Sequence, residues 1–288
     1  MTNGNKVSNY LSLVKFSHTI FAMPFAFVGY FLAINEGYQL NWLTLLLIVL
    51  CMVFARNAAM SFNRYADREI DGKNPRTALR EIPAGIIKPG SALRFVLLNC
   101  VAFIVTTALI NPLVLCLAPV ALLVVLGYSL TKRFTSLCHF ILGLGLSLAP
   151  IGAFLAVAGR FEWLPVIFSF IVLCWTGGFD IIYAMQDEHF DKSQNLKSMP
   201  ASLGGKRALW LSSIVHALCV LLVIVAGFEG HFRTLYWIGA AVYTVLLIWQ
   251  HLLVKPNDLS RVNLAFGTVN GIASVIFATF TIADMLIG

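Results

Sequence analysis

Residues 43–62, LTLLLIVLCMVFARNAAMSF, run straight into Asn63-Arg64-Tyr65-Ala66-Asp67-Arg68-Glu69-Ile70-Asp71. The first part is an apolar window of about 20 residues, the length an α-helix needs to cross the hydrocarbon core of a bilayer. The second places Asn63, Asp67 and Asp71 at i, i+4 and i+8, on one face of a helix. Together they predict a membrane helix that carries carboxylates at one end. Eight further apolar windows lie near residues 20–34, 93–110, 113–128, 140–158, 164–185, 209–226, 235–254 and 264–286. The window at 113–128 is short, and Asn111-Pro112 marks a tight turn before it. No polar domain interrupts the series. Residues 1–288 are therefore expected to form one all-α membrane domain of about nine transmembrane helices in a single bundle. The first window lacks a small-residue cleavage site and is followed by more spans, so it reads as a retained helix.

Composition agrees. Of 288 residues, 59% are hydrophobic and only 11% charged, with a mean hydropathy of +0.84. A soluble domain carries roughly 25% charged residues, so this chain has too few to cover a water-exposed surface. Lipid must be its main solvent, which excludes a soluble enzyme or an ordinary nucleic-acid binder. The net charge of +7 reads first as topology. Arg160 and Arg233 follow the fifth and seventh spans, whereas the other Lys and Arg lie at the N-terminus, in the loops after even spans, or at the adjoining helix ends. The positive-inside rule then puts the N-terminus and the even loops in the cytoplasm, and an odd span count puts the C-terminus outside. With no Arg/Ser-rich transit segment before the first span, a prokaryotic inner (cytoplasmic) membrane is expected. Cys51, Cys100, Cys116, Cys138, Cys174 and Cys219 are scattered singly and read as small core hydrophobes rather than disulfides or metal ligands.

A second acidic group ends the sixth span: Asp180 and, seven residues on, Asp187, followed by Asp191 at i+4. Two D-x-x-x-D pairs thus end two helices with three spans between them, which hints at an internal duplication. Arg56 precedes Asn63 by seven residues on the same face, deeper in its helix. Like charges at i, i+4 repel, so two such pairs facing each other need cations. Hard oxygen ligands with room for water and phosphate suit Mg²⁺. Basic residues share these loops: Lys73, Arg76 and Arg80, then Lys132 and Arg133, then Lys192 and Lys197. Carboxylates, metal and Lys/Arg together are what a diphosphate leaving group requires. The six histidines are not spaced as a metal set, and only His18 stands out among them. Asn270 in the last span reads as a helix–helix hydrogen bond, and Asp284 has no account at this level.

In order and spacing these motifs resemble the UbiA superfamily of intramembrane aromatic prenyltransferases. The resemblance includes Arg56, Asn63 to Gly72, Arg76-Thr77-Ala78-Leu79-Arg80, Pro83-Ala84-Gly85, Tyr128, Lys132-Arg133-Phe134-Thr135, Tyr183-Ala184-Met185-Gln186-Asp187 with Asp191, and Lys197-Ser198 with Leu203-Gly204. It runs over almost the whole chain, and looks closest to the 4-hydroxybenzoate polyprenyltransferases and the similar enzymes of the futalosine route to menaquinone. The resemblance implies helices around a central cavity capped by two cytoplasmic loops. It implies one Mg²⁺ on Asn63, Asp67 and Asp71 and another on Asp187 and Asp191, with Arg76, Lys132, Arg133 and Lys197 to hold the diphosphate. It also implies transfer of a polyprenyl group from an allylic polyprenyl diphosphate to a small aromatic hydroxy-acid in quinone biosynthesis. The acceptor would be of the 4-hydroxybenzoate type or, alternatively, 1,4-dihydroxy-6-naphthoate. One departure is Arg64, where many members carry Asp. Asp180 is placed to orient the substrate, polarise the phenol or assist proton loss, and Arg56 to meet an acceptor carboxylate or the metal-bound diphosphate. The expected partners are these two substrates and the lipid bilayer, with no nucleic acid and no obligate protein partner.

Three competitors are weaker. A transporter would place carboxylates near the midplane on interrupted helices, whereas here they sit at helix ends among basic loops. A CDP-alcohol phosphotransferase needs a D-G-x-x-A-R run, and Asp71-Gly72-Lys73-Asn74-Pro75-Arg76 lacks the Ala-Arg. Haem farnesylation is disfavoured by the Tyr183-Ala184-Met185-Gln186-Asp187 segment, which is of the benzoate type.

Overall fold

In the computed structural model the described residues are 6–14 and 22–287. His18 and the first residues of the first apolar window lie outside them. Each of the nine windows falls on a helix: α2 (Met23–Asn35), α3 (Trp42–Ala66), α5 (Pro89–Ala108), α6 (Pro112–Thr131), α7 (Cys138–Ala158), α8 (Trp163–Ala184), α11 (Gly205–Glu229), α12 (Thr234–Leu253) and α13 (Asn270–Ile287). Short helices α1 (Lys6–Leu13), α4 (Arg68–Lys73), α9 (Glu188–Ser193) and α10 (Met199–Leu203) fill the connections. Among the described residues eight helices are long and apolar enough to cross a membrane, and α2, with 13 residues, is a shorter apolar one. The short 113–128 window lengthens to a full 20-residue helix because Asn111 caps it, its side chain accepting from Val114 N–H at 2.9 Å. Asn41 caps α3 in the same way.

The helices close a ring. α3 packs on α5 and α6, α6 on α7, α7 on α8, α8 on α11, α11 on α12, and α12 on α13, which returns to α2. α2 lies against α7, where Gly29 is required: a Cβ there would overlap the backbone carbonyl of Pro150. α7 and α8 approach as closely at Gly143, whose Cβ would come 2.6 Å from Leu173 O. Small residues at such crossings let backbones meet where lipid supplies no hydrophobic drive for association. Inside the ring an aromatic cluster of Phe25, Phe168, Trp175, Tyr236, Tyr243 and Phe277 is wholly buried. The outward face carries exposed Trp42, Leu98, Leu123, Trp210 and Leu252, the opposite of a soluble surface and consistent with lipid contact.

The last window opens with a π-helical turn, Leu264–Val269, before α13 begins. Asn270 repairs the carbonyls that turn frees: its Nδ2 donates to Ala265 O at 2.9 Å and Phe266 O at 3.2 Å. Its Oδ1 accepts from Trp175 Nε1 at 2.8 Å, which is the helix–helix bond expected of it. Asp284, unexplained by sequence, accepts from the backbone N–H of Arg233 at 2.7 Å and of Tyr236 at 3.1 Å. It caps the N-terminus of α12 from a neighbouring helix, satisfying donors that have no intrahelical partner. The six cysteines are all unpaired.

Candidate active site

α3 ends one residue before Asp67. The chain takes a single non-helical step there (φ −92°, ψ 6°) and starts α4 at Arg68. Helical spacing survives the step, because Asp67 N–H bonds Asn63 O at 2.9 Å and Asp71 N–H bonds Asp67 O at 2.7 Å. Asn63, Asp67 and Asp71 therefore keep the common face that the sequence predicts. α8 ends similarly: a 3₁₀ turn, Met185–Asp187, leads into α9, which carries Asp191.

Both ends open onto a cavity of about 530 Å³, within the size range of small-molecule sites. Asn63, Asp67, Asp71, Arg76, Lys132, Asp187 and Asp191 line it together with Arg56 and Asp180. The polar groups gather at the helix ends. Deeper along the same helices the wall turns apolar, with Met60 on α3, Leu142 and Leu146 on α7, and Phe179 on α8. Arg56 stands eleven residues before Asp67, about 16 Å deeper along the helix axis at 1.5 Å per residue.

Asp67, Asp71 and Asp187 are each held by a cation. Arg133 Nη2 donates to Asp67 Oδ1 at 2.8 Å, and Asn63 Nδ2 to Asp67 Oδ2 at 3.1 Å, with Lys132 Nζ 4.0 Å from that oxygen. Arg80 Nη1 donates to Asp71 Oδ1 at 2.7 Å. Arg76 clamps Asp187 with two nitrogens, Nε lying 2.9 Å from Oδ1, while Asn74 Nδ2 donates to the same oxygen at 3.0 Å. Arg76 also reaches the Tyr183 hydroxyl at 3.2 Å. Burial pushes the Asp67 carboxyl above the usual carboxylate range, against the pull of Lys132 and Arg133. Burial works against the charge of Arg76 as well, but its bonds to Asp187 outweigh it and raise the guanidinium pKa.

Lys197 stands apart from the other basic candidates. It is exposed and does not line the cavity; its backbone joins the site, the N–H donating to Lys132 O and the carbonyl accepting from Cys138 Sγ at 3.5 Å. Arg64 does line the cavity and is buried at 4% exposure; its Nε has no hydrogen-bond partner, nor has that of Arg56. Among the histidines, His139 meets Asp180, with Nδ1 2.7 Å from Oδ2. No local pattern in the sequence marks this contact, since 41 residues separate the two and the packing of α7 on α8 joins them.

The donor set can be tested for Mg²⁺. Among the described residues no three His, Cys, Asp or Glu side chains group closely enough to hold an ion by themselves. Two pairs of carboxylates do gather at one cavity mouth, however, and Asp71 Oδ2 is buried with no partner. Mg²⁺ is ordinarily held by one or two carboxylates plus substrate phosphates and waters, so these incomplete oxygen sets fit a metal that arrives with a diphosphate.

Comparison with known proteins agrees. Residues 22–278 match the UbiA prenyltransferase family. The chain is 30% identical over 239 residues to a 4-hydroxybenzoate octaprenyltransferase of Aliivibrio fischeri (strain MJ11), covering 82% of each chain. Its fold superposes on a UbiA homolog from Aeropyrum pernix K1 with a TM-score of 0.84 at 32% identity, over 93% of this chain and 98% of the other. A UbiA homolog from Archaeoglobus fulgidus bound to DMAPP and Mg²⁺ shares the fold at a TM-score of 0.71 and 21% identity, over 97% and 100% of the two chains. These matches set the transporter reading aside. The chain belongs to the UbiA prenyltransferase family, and is a membrane-embedded transferase of prenyl groups.

Proposed function

We propose that this protein transfers a polyprenyl group from an allylic diphosphate to a ring carbon of 4-hydroxybenzoate or a close phenolic acid, as a step in quinone biosynthesis. The observation that carries this reading is the pairing of Asp67, Asp71 and Asp187 with Arg133, Arg80 and Arg76 at the mouth of a cavity that turns apolar with depth. Asn63, Asp67 and Asp71 would hold one Mg²⁺ and Asp187 and Asp191 the other. When bound, the metal neutralises the diphosphate and makes it a better leaving group.

The chain's own residues do the rest. Arg76, Lys132 and Arg133 exchange their carboxylate partners for the diphosphate oxygens, and Lys197 adds positive charge from the neighbouring loop. The allylic C–O bond breaks with its electron pair leaving on the diphosphate. A ring carbon of the acceptor bonds to the allylic carbon, and the ring hydrogen leaves as a proton, so one diphosphate and one proton are released per transfer. Met60, Leu142, Leu146 and Phe179 keep water from the allylic cation. Arg56, deep in the cavity and without a partner for Nε, binds the acceptor carboxylate, and Asp180 faces its phenol. The orientation inferred from charge places the cavity mouth at the cytoplasmic face of an inner membrane.

The test is prenyl transfer by the purified protein with Mg²⁺, labelled geranyl diphosphate and, in separate tubes, 4-hydroxybenzoate and 1,4-dihydroxy-6-naphthoate. Product in the benzoate tube supports the reading. Product in the naphthoate tube alone moves the acceptor and leaves the chemistry.

A further inference from the structure

His139 and Asp180 form a contact with a defined direction. On the side away from Asp180, His139 Nε2 is 3.2 Å from the backbone N of Met199, the first residue of α10. A backbone N–H can only donate, so Nε2 accepts and carries no proton. In the neutral ring the one proton then sits on Nδ1 and is donated to Asp180 Oδ2 at 2.7 Å. The second partner fixes the tautomer. The imidazole is buried, while the Asp180 side chain keeps 21% of its surface open and lines the cavity. Asp180 Oδ1 makes no hydrogen bond among the described residues. Asp180 lies seven residues before Asp187, about 10 Å deeper along the helix. It is thus one step inward from the acidic pairs, where the apolar wall begins.

We propose that His139 is the positioning residue of the acceptor site: it locks Asp180 in one rotamer by its Nδ1–H bond and leaves Oδ1 free to accept the hydrogen bond of the acceptor's phenolic hydroxyl. A carboxylate at this depth is costly unless paired, and the pairing with His139 engages one of its two oxygens. The anion therefore stays available to draw on the phenol and enrich its ring. The inference rests on the phenolic-acid reading given above.

Two substitutions separate this role from a merely structural one. In His139→Asn the amide nitrogen falls near the place of Nδ1 and can still donate to Asp180, but nothing reaches Met199. In His139→Gln the amide reaches the place of Nε2 and can still accept from Met199 N–H, but Asp180 loses its donor. With full-length protein, His139→Asn is expected to keep kcat within about threefold of wild type and His139→Gln to lower it at least about tenfold. Both should leave KM for geranyl diphosphate within about twofold. In an Asp180→Asn background the two should differ no further. Impairment of the Asn variant with full activity in the Gln variant, or equal behaviour of both, would overturn the proposal. A binding measurement decides the same point without turnover. Calorimetry should find that wild type and His139→Asn prefer 4-hydroxybenzoate to benzoate, a preference that His139→Gln loses; no preference in wild type also overturns the proposal. If wild type transfers no prenyl group, the reaction assigned above fails while this preference still tests His139.

Discussion

Asp67 and Asp187 occupy equivalent backbone positions. Each is the N-cap of a six-residue helix, Asp67 as the single residue between α3 and α4 and Asp187 as the last residue of the 3₁₀ turn between α8 and α9, at φ −92°, ψ 6° and φ −102°, ψ 4°, and each accepts hydrogen bonds from an arginine. The second acid of each pair, Asp71 or Asp191, sits one turn on in that short helix and is buried. The two D-x-x-x-D motifs thus share a local backbone geometry. If the two acids serve equivalent metals, Asp67→Asn and Asp187→Asn should each lower kcat/KM by about a hundredfold or more, a size typical for a lost group that acts on the leaving group. Because the pairs act together, the double variant should lose far less than the product of the two. Steady-state kinetics on the three variants checks this.

Arg76 is joined to Asp187, Tyr183 and, through Asn74, its own loop. On binding diphosphate it would trade a carboxylate for phosphate oxygens. Arg76→Ala should therefore raise KM for the allylic diphosphate by about tenfold or more, the cost of a charge-assisted pair, and leave the acceptor KM near wild type. A rise confined to the acceptor KM would contradict the assignment.

Arg56 gives the mirror-image expectation. Its buried Nε has no partner, and it lies far from the acids along α3. Arg56→Ala should raise the acceptor KM by about tenfold without changing that of the diphosphate. Phenols lacking the carboxylate should bind wild type and variant alike.

At the opposite end of the bundle, Asp284 holds the first turn of α12 through the backbone N–H groups of Arg233 and Tyr236. Asp284→Ala removes a capping acceptor and should cost about 1 kcal/mol, lowering the melting temperature in detergent by a few degrees. Turnover below that temperature should be unchanged, because the residue is remote from the cavity. Loss of activity without loss of stability would give Asp284 a role this account does not assign.

Most of the fold was legible because the bilayer enforces it. A span needs about 20 apolar residues, and each of the nine windows became a helix. The acidic pairs were legible for the same reason, since charge is rare enough in this chain to stand out. What escaped was whatever depends on contacts between distant segments. The capping of α12 by Asp284 and the bond from His139 to Asp180 span 51 and 41 residues, and no local pattern encodes either. The π-helical turn before Asn270 is also invisible to periodicity, although Asn270 itself carried the clue. Lys197 shows the reverse: a motif residue by sequence, it reaches the site through its backbone alone.

The most direct test is transfer of labelled geranyl diphosphate to 4-hydroxybenzoate by the purified protein in liposomes. The expected product is C-prenylated, requires Mg²⁺, disappears with EDTA, and is absent with Asp67→Ala. Folded protein that forms no product with either phenolic acid, and shows no Mg²⁺-dependent binding of the diphosphate by calorimetry, would contradict the proposed reaction.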